Sequence, residues 1–564
     1  MLHAEGPLCS IDLTERSFTT ETIDDVTAEF IGGRGVATKL ATDRLGTDTD
    51  PLSPENRVFF TTGPMQLSTT SFTGRMNATS LSPLTDGLLS SNAGGFLSRN
   101  FAGTGNCAVE LRGAADELLA VHVREDGVEF EAVPELEGAE VPEVTEWAEA
   151  QDLSKEHVVC IGPGGENEVR FASLMTTEER AFGRGGLGAV LGSKNVKLLT
   201  FDGDAAPDLE LPEGAMDDAM DVHREAATSD SIMKRQGTSS MVDFANNVGT
   251  FPTRYFEDVR FDRYESINGD RVEEKKYKKG TCSQCAFACK LPTRDEATGL
   301  ETEGPEFETV MAFGGNCEVD DIVAVMKSNE LCDRYGLDTI SCGDTIAAYL
   351  KSEDEFGNVE LIHELVEKIA HREGVGDLLA EGTHRVHDEL GVDDWTVKGM
   401  EFPAHDGRTL HGQGLSFAMA NRGADHMYAT FYAWEYPLVS KEEAYPPEGL
   451  NEEKVEQVVK QENTRALEDC GIVCRFSRDV MTEARFEAFF GEDIETLRAV
   501  GAKTIDMERA FNNARGFDSA DDTLPYDLPD FEAMRSYYYD VRGWSDDGQA
   551  DVGADGGTAA TADD

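Results

Sequence analysis

Apolar and polar positions alternate from Leu8 onward, first at Cys9, Ile11 and Leu13 and more loosely up to Phe30 and Ile31, with threonine-rich intervals. A period of two predicts short strands with one buried face each. Gly32-Gly33-Arg34-Gly35 interrupts the alternation, and Val36, Leu40 and Leu45 follow at helical spacing. Such a glycine-dense turn either lets the backbone approach a neighbour closely or simply joins strand to helix. Val58-Phe59-Phe60, ending at Gly63-Pro64, predicts a buried strand and a turn, and residues 107–132, 157–162 and 196–201 also read as strands. A linker rich in Pro and acids, 203–214, closes this β-rich part. Beyond it the period becomes helical: Ile322, Val323, Met326, Leu331 and Tyr335 follow Asp320-Asp321, and residues 361–370 and 378–390 repeat the pattern. The expected class is α+β, with a β-rich N-terminal domain (1–205), two mainly helical domains (206–415 and 416–540) and an acidic disordered tail (541–564). The tail is expected because its last 20 residues are mostly Gly, Ala and Asp, with no aromatic or basic residue. No internal repeat is found.

Composition narrows the function classes. At 564 residues with 40% hydrophobic positions, the chain can bury a large core. Its 50 Lys and Arg against 109 Asp and Glu leave a net charge of −59. That field repels nucleic acid and anionic membranes, so neither is an expected partner. Acidic residues spread along the whole chain with few lysines fit a surface kept hydrated in concentrated salt, as in a halophile. The first residues lack a basic start with an apolar run of signal-peptide length, and no stretch approaches 18 uninterrupted apolar residues. A cytoplasmic protein is expected, which also suits eleven cysteines in a large chain.

Three of those cysteines carry the sharpest signal. Cys282, Cys285 and Cys289, spaced CxxCxxxC, can converge on one centre only if the backbone loops around it. A [4Fe-4S] cluster takes a fourth thiolate, and Cys474 is the candidate; a zinc knuckle or buried free thiols are the alternatives on spacing alone. Three patches rich in small and hydrogen-bonding residues, Thr73–Asn77, Ser82–Thr85 and Ser90–Phe96, suit either a cradle for a phosphate or polar heterocycle or tight loops between strands. Gly183-Arg184-Gly185-Gly186-Leu187-Gly188 formally matches GxGxxG. A dinucleotide site is discounted because residues 176–180 before it are polar and helix-like, where the fingerprint needs a strand. A glycine-lined wall for another bulky cofactor, with Arg184 facing its anionic groups, remains.

Taken in order, these pieces resemble the tungsten-dependent aldehyde:ferredoxin oxidoreductase family from about residue 8 to about residue 540. The motifs that carry the resemblance are the CxxCxxxC set with a late cysteine, residues 51–57 (PLSPENR), Gly74-Arg75, Ser91–Gly95, Gly183–Gly186, Gly304–Glu308 and Asp333–Asp338. Together with the acidic composition they suggest a haloarchaeal-type member. The resemblance implies a tungsten or molybdenum ion held by two pterins, with the [4Fe-4S] cluster close by on Cys282, Cys285, Cys289 and Cys474. Asn92 and Gly94 would sit at pterin phosphates, and the backbone carbonyls of Asn92 and Phe182 would bind a bridging Mg2+. Arg75 would lie between cluster and pterin. Asp333, Leu337, Asp338, Asp469 and Val473 would contact the pterin rings through paired DxxGLD-like segments, of which residues 469–474 are a degenerate copy; adjacent Cys470 is the competing thiol. Glu308 and His426 would be catalytic. The implied reaction is oxidation of a small aldehyde to its carboxylate with ferredoxin as acceptor. A non-catalytic iron-sulfur or zinc protein, or a family member with a non-aldehyde substrate, is the alternative.

Two further expectations concern partners. Glu381 and His384 lie on one helical face and, since some family members bridge subunits with a metal, could form such a site; a homo-oligomer, a dimer first, is the expected assembly. Lys275, Lys276, Lys278 and Lys279 crowd into five residues of a chain with 18 lysines. They read either as a solvated charge run or as a basic spot where an acidic ferredoxin approaches.

Overall fold

The computed structural model describes residues 1–552. Two six-stranded sheets make up the N-terminal part. The first, ordered β2-β1-β6-β3-β4-β5, contains β1 (Leu8–Asp12), β2 (Ser17–Glu21), β3 (Val58–Thr61), β4 (Arg75–Leu81), β5 (Leu88–Gly94) and β6 (Ala108–Arg112). The second, ordered β11-β10-β9-β12-β7-β8, contains β7 (Leu119–Arg124), β8 (Gly127–Ala132), β9 (Val158–Cys160), β10 (Leu174–Thr176), β11 (Arg180–Phe182) and β12 (Val196–Asp202). One core joins them: Ile11, Phe60, Val109, Val121, Phe182 and Phe201 pack together, with Phe182 and Phe201 both edge-on to Phe60. Alternation in β1, the apolar run Val58-Phe59-Phe60 in β3, and Val196, Leu199 and Phe201 of the almost wholly buried β12 supply this shared face.

Several expectations fail for physical reasons. Residues 24–30 form a helix, α1 (Asp24–Phe30), not a strand. Two aspartates favour its first turn and Thr27 and Phe30, three apart, are its buried side, so helical spacing overrides the loose alternation. The helix predicted after the glycines, α2 (Gly33–Arg44), begins inside them. Arg75–Asn77 and Ser90–Gly94 are not loops but paired strand, and their small polar side chains are buried in hydrogen bonds, as where Asn77 reaches Ser90 and Asn92. Residues 176–180 are not helical. They close the β10–β11 hairpin through Thr177 and Glu178 at positive φ, so a strand does precede Gly183. The dinucleotide fold is still absent, because β11 pairs antiparallel with β10 and the helix after it, α3 (Leu187–Ser193), leads to a strand on the far side of β9. The expected helical pattern over 378–390 is broken at Gly382, φ +82°, into Val375–Leu379 and Thr383–Leu390.

After residue 214 the chain is predominantly helical. α4 (Ile322–Tyr335), α5 (Thr339–Glu353), α6 (Glu452–Gly471) and α7 (Ile494–Ala514) each start at an Asp or Asn whose side chain accepts a first-turn backbone N–H. α6 and α7 pack along each other and against α2, carrying the C-terminal helices onto the first sheet. Among the described residues no helix is long and apolar enough to cross a membrane. The expected tail is packed at its start. Trp544 is 6% exposed and donates to Asp506, and the Gly548 carbonyl accepts from Arg509, so residues 541–552 dock on α7. The rest of that predicted tail lies outside the described residues.

Candidate functional site

Cys282, Cys285, Cys289 and Cys474 line one cavity together with Phe72, Phe287 and Arg75. The local chain explains how. Gln284 and Ala288, both at positive φ, curl the CxxCxxxC segment, while Ser283 N–H binds the Gly95 carbonyl and Ala286 N–H binds Ser71. The turn after α6 brings Cys474 in, its N–H held by the Phe72 carbonyl. These four are the half-buried cysteines of the chain; the other seven, Cys470 included, are buried. Cys470 points at Thr504 and Gly35 instead. Burial raises the thiols of Cys285, Cys289 and Cys474, and neighbouring sulfurs add to it, while Arg75 works the other way at Cys474. Among the described residues no three Cys, His, Asp or Glu side chains stand close enough to hold a single ion. The thiols therefore ring a space and not a point.

Arg75 separates this cavity from a second. Its Nη1 stands 4.0 Å from the Cys474 sulfur, and its Nη2 donates to the Asn92 carbonyl at 3.1 Å. The second cavity, about 190 Å³, lies between β5, the Gly183-Arg184 turn, the 422–427 loop and the end of α6. Four guanidiniums line it, Arg75, Arg184, Arg422 and Arg475, against two carboxylates, Asp425 and Asp469. In a chain of net charge −59, that excess of cations marks a place for an anion. Burial works against both carboxylates, but Arg422, His426 and Arg184 hold Asp425 down to about 2, and Arg475 and Arg34 keep Asp469 below its usual range. Arg422 Nε is paired with Asp425 at 2.6 Å, whereas buried Arg475 Nε and His426 Nδ1 have no hydrogen-bond partner in the protein, although polar atoms so buried are ordinarily satisfied.

At one edge stands Glu308, in the helical turn Phe307–Val310 that runs on into a π-helical turn, Met311–Gly315. Ala404 N–H fixes its Oε2 at 2.7 Å. Its Oε1 is free of hydrogen bonds and faces two imidazoles, His426 Nε2 at 3.5 Å and His405 Nε2 at 3.6 Å. His426 lines the cavity, whereas His405 is buried behind it, stacked on Tyr432 at 3.7 Å. Burial, and then His426, hold the His405 imidazole well below its usual range.

The other predicted residues divide. Asn92 is tied by Asp469 (2.7 Å) and Asn77 (3.0 Å), and Val473 lines the cavity. Gly94 faces the thiols: a Cβ there would sit 3.2 Å from the Cys282 sulfur. Phe182 turns its ring into the core, on a strand packed beside β5, and does not line the cavity. Arg184 spends Nη1 and Nη2 on the Ala424 and Glu401 carbonyls, leaving Nε 3.5 Å from Asp338. Asp338 is a helix cap, accepting from Ser341 N–H, yet buried and not solvated. Leu337 packs over Gly164 in the core, and Ile340 takes the cavity wall. Asp333, held by Asn329, is a separate acid whose carboxyl is pushed well up by burial and by Glu303 and Glu179.

Glu381 precedes the helix Thr383–Leu390 and pairs with Arg170 and Arg372, while His384 binds Asp394, so within one chain each of the two already has its own partners. Of the lysine run, Lys275 is paired with Asp295 and Lys276 donates to the Lys234 carbonyl, whereas Lys278 and Lys279 are exposed. Sequence reasoning missed His405, Arg422, Asp425 and Arg475. Three of these are charged residues within four positions of a named candidate, a usable signal, but isolated His405 carried none.

Comparison with known proteins identifies the family. The profile of the aldehyde ferredoxin oxidoreductase N-terminal domain matches residues 8–203, and that of domains 2 and 3 matches residues 215–551. The tungsten-containing aldehyde ferredoxin oxidoreductase of Pyrococcus furiosus is 31% identical, covering 96% of this chain and 97% of its own length. That of Thermococcus kodakarensis is 31% identical over 93% and 94%. The WOR-like subunit of an aliphatic sulfonate oxidoreductase from P. furiosus is 26% identical over 89% and 85%. Among solved structures, the active-site complex BamBC of benzoyl coenzyme A reductase shares the fold, with a TM-score of 0.79 at 21% identity over 97% and 96% of the two chains. By both profiles and by full-length identity, the chain belongs to the aldehyde ferredoxin oxidoreductase family.

Proposed function

We propose that the chain oxidises an aldehyde to its carboxylate at a tungsten or molybdenum bis-pterin and delivers the electrons through a [4Fe-4S] cluster to ferredoxin. The observation that carries this reading is His426 on the wall of a cation-rich cavity that shares Arg75 with a ring of four cysteines, with the Glu308 Oε1, free of hydrogen bonds, 3.5 Å behind it. The four guanidiniums on the cavity wall, Arg75, Arg184, Arg422 and Arg475, against two carboxylates fit an anionic, acceptor-rich group such as a pterin phosphate or dithiolene. Cys282, Cys285, Cys289 and Cys474 would hold the cluster, and the Asn92 and Phe182 carbonyls a Mg2+ between phosphates.

When bound, the pterin-held metal supplies the two-electron redox chemistry. The protein's share is proton handling and placement. Aldehyde plus water becomes carboxylic acid plus two electrons and two protons, so a base must stand beside the reacting carbon. Glu308 meets that need because Ala404 holds one carboxylate oxygen and leaves the other free, and His426, on the cavity wall, can orient the substrate oxygen. Arg75 keeps a permanent cation between the electron donor and the thiols.

Metal analysis of protein purified without oxygen should find about four iron atoms and about one tungsten or molybdenum per chain; zinc alone would favour the non-catalytic alternative. The sulfonate-oxidising relative makes a second substrate class specific, so aldehydes and aliphatic sulfonates are assayed side by side with a viologen dye and with ferredoxin. Turnover of sulfonates alone would replace the aldehyde reading. Glu308→Gln should retain its metals and lose roughly 10²–10⁴ in kcat; undiminished turnover would remove Glu308 from the mechanism.

A further inference from the structure

We propose that Arg465, Arg475 and Arg478 hold an anionic group at the far end of the substrate, so that the aldehyde oxidised here carries a second oxygen-rich group, a carboxylate or a phosphate. This rests on the aldehyde reading above and names the substrate class of the same site.

One acid gathers these guanidiniums. Glu468, 3% exposed near the end of α6, gives Oε1 to Arg465 at 2.9 Å and Oε2 to Arg475 at 2.7 Å. Arg475 also donates to the Arg465 carbonyl at 3.0 Å, and the Arg478 N–H bonds the Arg475 carbonyl one turn later. Negative charge falls short of positive charge here. Asp469, the second carboxylate on Arg475, is shared with Arg34, and among the described residues Arg478 meets only Asp479, 3.9 Å away and 84% exposed. The Nε atoms of all three arginines are buried without a hydrogen-bond partner, and Arg465 as a whole is 5% exposed. Guanidinium donors so buried are ordinarily satisfied. Burial, with Arg475 and Arg478 adding to it, lowers the Arg465 guanidinium to about 10 against the pull of Glu468. A bound oxyanion would relieve that repulsion and fill the free donors.

These cations reach past the cofactor cavity to the reacting side. Arg75, Arg184 and Arg422 line that cavity together with Arg475, but Arg465 and Arg478 do not. Arg475 belongs to both groups, its Nη2 3.5 Å from the carbonyl of Met427, the residue after His426. Tyr432 joins the arginines to the acid–imidazole pair. Its ring is 6.4 Å from that of His426 and stacks on His405, while burial raises its hydroxyl, Arg478, Arg465 and Arg475 draw it down, and Glu308 raises it. The phenol therefore stands between Glu308 and the three cations. An aldehyde carbon presented to Glu308 and His426 leaves the arginines for the opposite end of the same molecule. A neutral chain offers those donors nothing, whereas carboxylate and phosphate accept from guanidinium through two oxygens at once. In a chain of net charge −59, a local excess of cations is also what lets an anion approach.

The test uses holoenzyme purified without oxygen, at constant KCl. Succinate and butyrate, the acids formed from succinic semialdehyde and butanal, differ by a carboxylate in place of a methyl group at that far end. Calorimetry should find succinate, or 3-phosphoglycerate as the phosphate probe, bound roughly 10–100-fold more tightly than butyrate, the range one charge-assisted contact supplies; the tighter of the two identifies the group. Arg478→Gln, at a partly exposed position, should lose most of that difference, and Arg478→Lys, which keeps the charge without the fork, should restore part of it. In turnover, Arg478→Gln should raise KM for succinic semialdehyde or glyceraldehyde 3-phosphate more than KM for butanal. Equal affinity for all three acids in the parent protein, or an unchanged difference in Arg478→Gln, overturns the site. Loss of tungsten or molybdenum from Arg478→Gln gives the arginine to the cofactor and overturns it too. Preferential binding of the dianions by a protein that oxidises no aldehyde would sink the aldehyde reading and keep the anion site; oxidation of neutral and anionic aldehydes at equal KM, with equal binding of their acids, would do the reverse.

Discussion

Glu308 divides its two carboxylate oxygens between the fold and the site, and the same division recurs in the histidine behind it: His405 gives its ring face to Tyr432 and its edge to Glu308. A buried neutral imidazole has a pH consequence. Unfolded, it takes a proton below about pH 6.5, whereas folded it stays neutral to lower pH, so the unfolded state binds more protons and stability falls as pH drops through that range. His122, His363 and His411, all lowered by burial, act in the same direction, and His384, raised by Asp394, acts against them. The net slope is a loss approaching 1.4 kcal/mol per pH unit for each uncompensated proton below about pH 6.5. Asp425, held down to about 2, adds an acid limb that is present above roughly pH 3.9 and is lost toward about pH 2. Chemical unfolding of the same preparation from about pH 7.5 to about pH 5.5 checks the histidine limb; a flat midpoint contradicts it.

Helices carry the site through close crossings at glycine. A Cβ on Gly33 would stand 2.1 Å from the Asp469 carbonyl oxygen, and one on Gly501 would stand 2.1 Å from the Asn463 carbonyl oxygen, so α2 and α7 approach α6 backbone to backbone. That contact aims the end of α6, with Asp469, Val473 and Cys474, at both cavities. Gly501→Ala tests the crossing without backbone strain, since its φ is not positive. It should cost about 1–3 kcal/mol by overpacking, measured as a lower Tm. An unchanged Tm would show that the helices can separate freely. For Gly32-Gly33-Arg34-Gly35 the close-approach reading is therefore the right one, and Arg34 itself binds Asp469 and Glu508.

At the scale of the molecule, charge decides. A net −59 repels itself, and screening shortens to roughly 3 Å at 1 M salt. We propose adaptation to concentrated salt, and expect Tm to rise between low salt and molar KCl; equal Tm values would refute it. The same field bears on the electron partner. Lys275 and Lys276 serve the fold, which leaves Lys278 and Lys279 exposed shortly before Cys282. Changing both to Gln should raise KM for ferredoxin several-fold and leave dye reduction intact, because contact pairs outlast long-range steering in salt. Equal loss with both acceptors would assign the lysines to the cluster fold, and no loss with either would leave them a solvated run.

Motif chemistry was legible from the chain alone. The CxxCxxxC spacing and the succession of β-rich and helical parts could be named without coordinates, because ligand spacing and hydrophobic period are properties of consecutive residues; Glu308 and His426 came from the resemblance to the family. For the patches at Arg75–Asn77 and Ser90–Gly94 the cradle and the loop were both open, because their residue types favour turns, while pairing between neighbouring strands makes them sheet with Ser90, Ser91 and Asn92 on the cavity wall. His405 was invisible for the opposite reason. Nothing within its own stretch distinguishes it, and its surroundings are assembled from Glu308, Tyr432 and Tyr436 in other segments. Local spacing determined which atoms this protein can offer to a metal; only tertiary packing, which sets burial and hydrogen-bond direction, decided which of its acids and imidazoles face one another across the site.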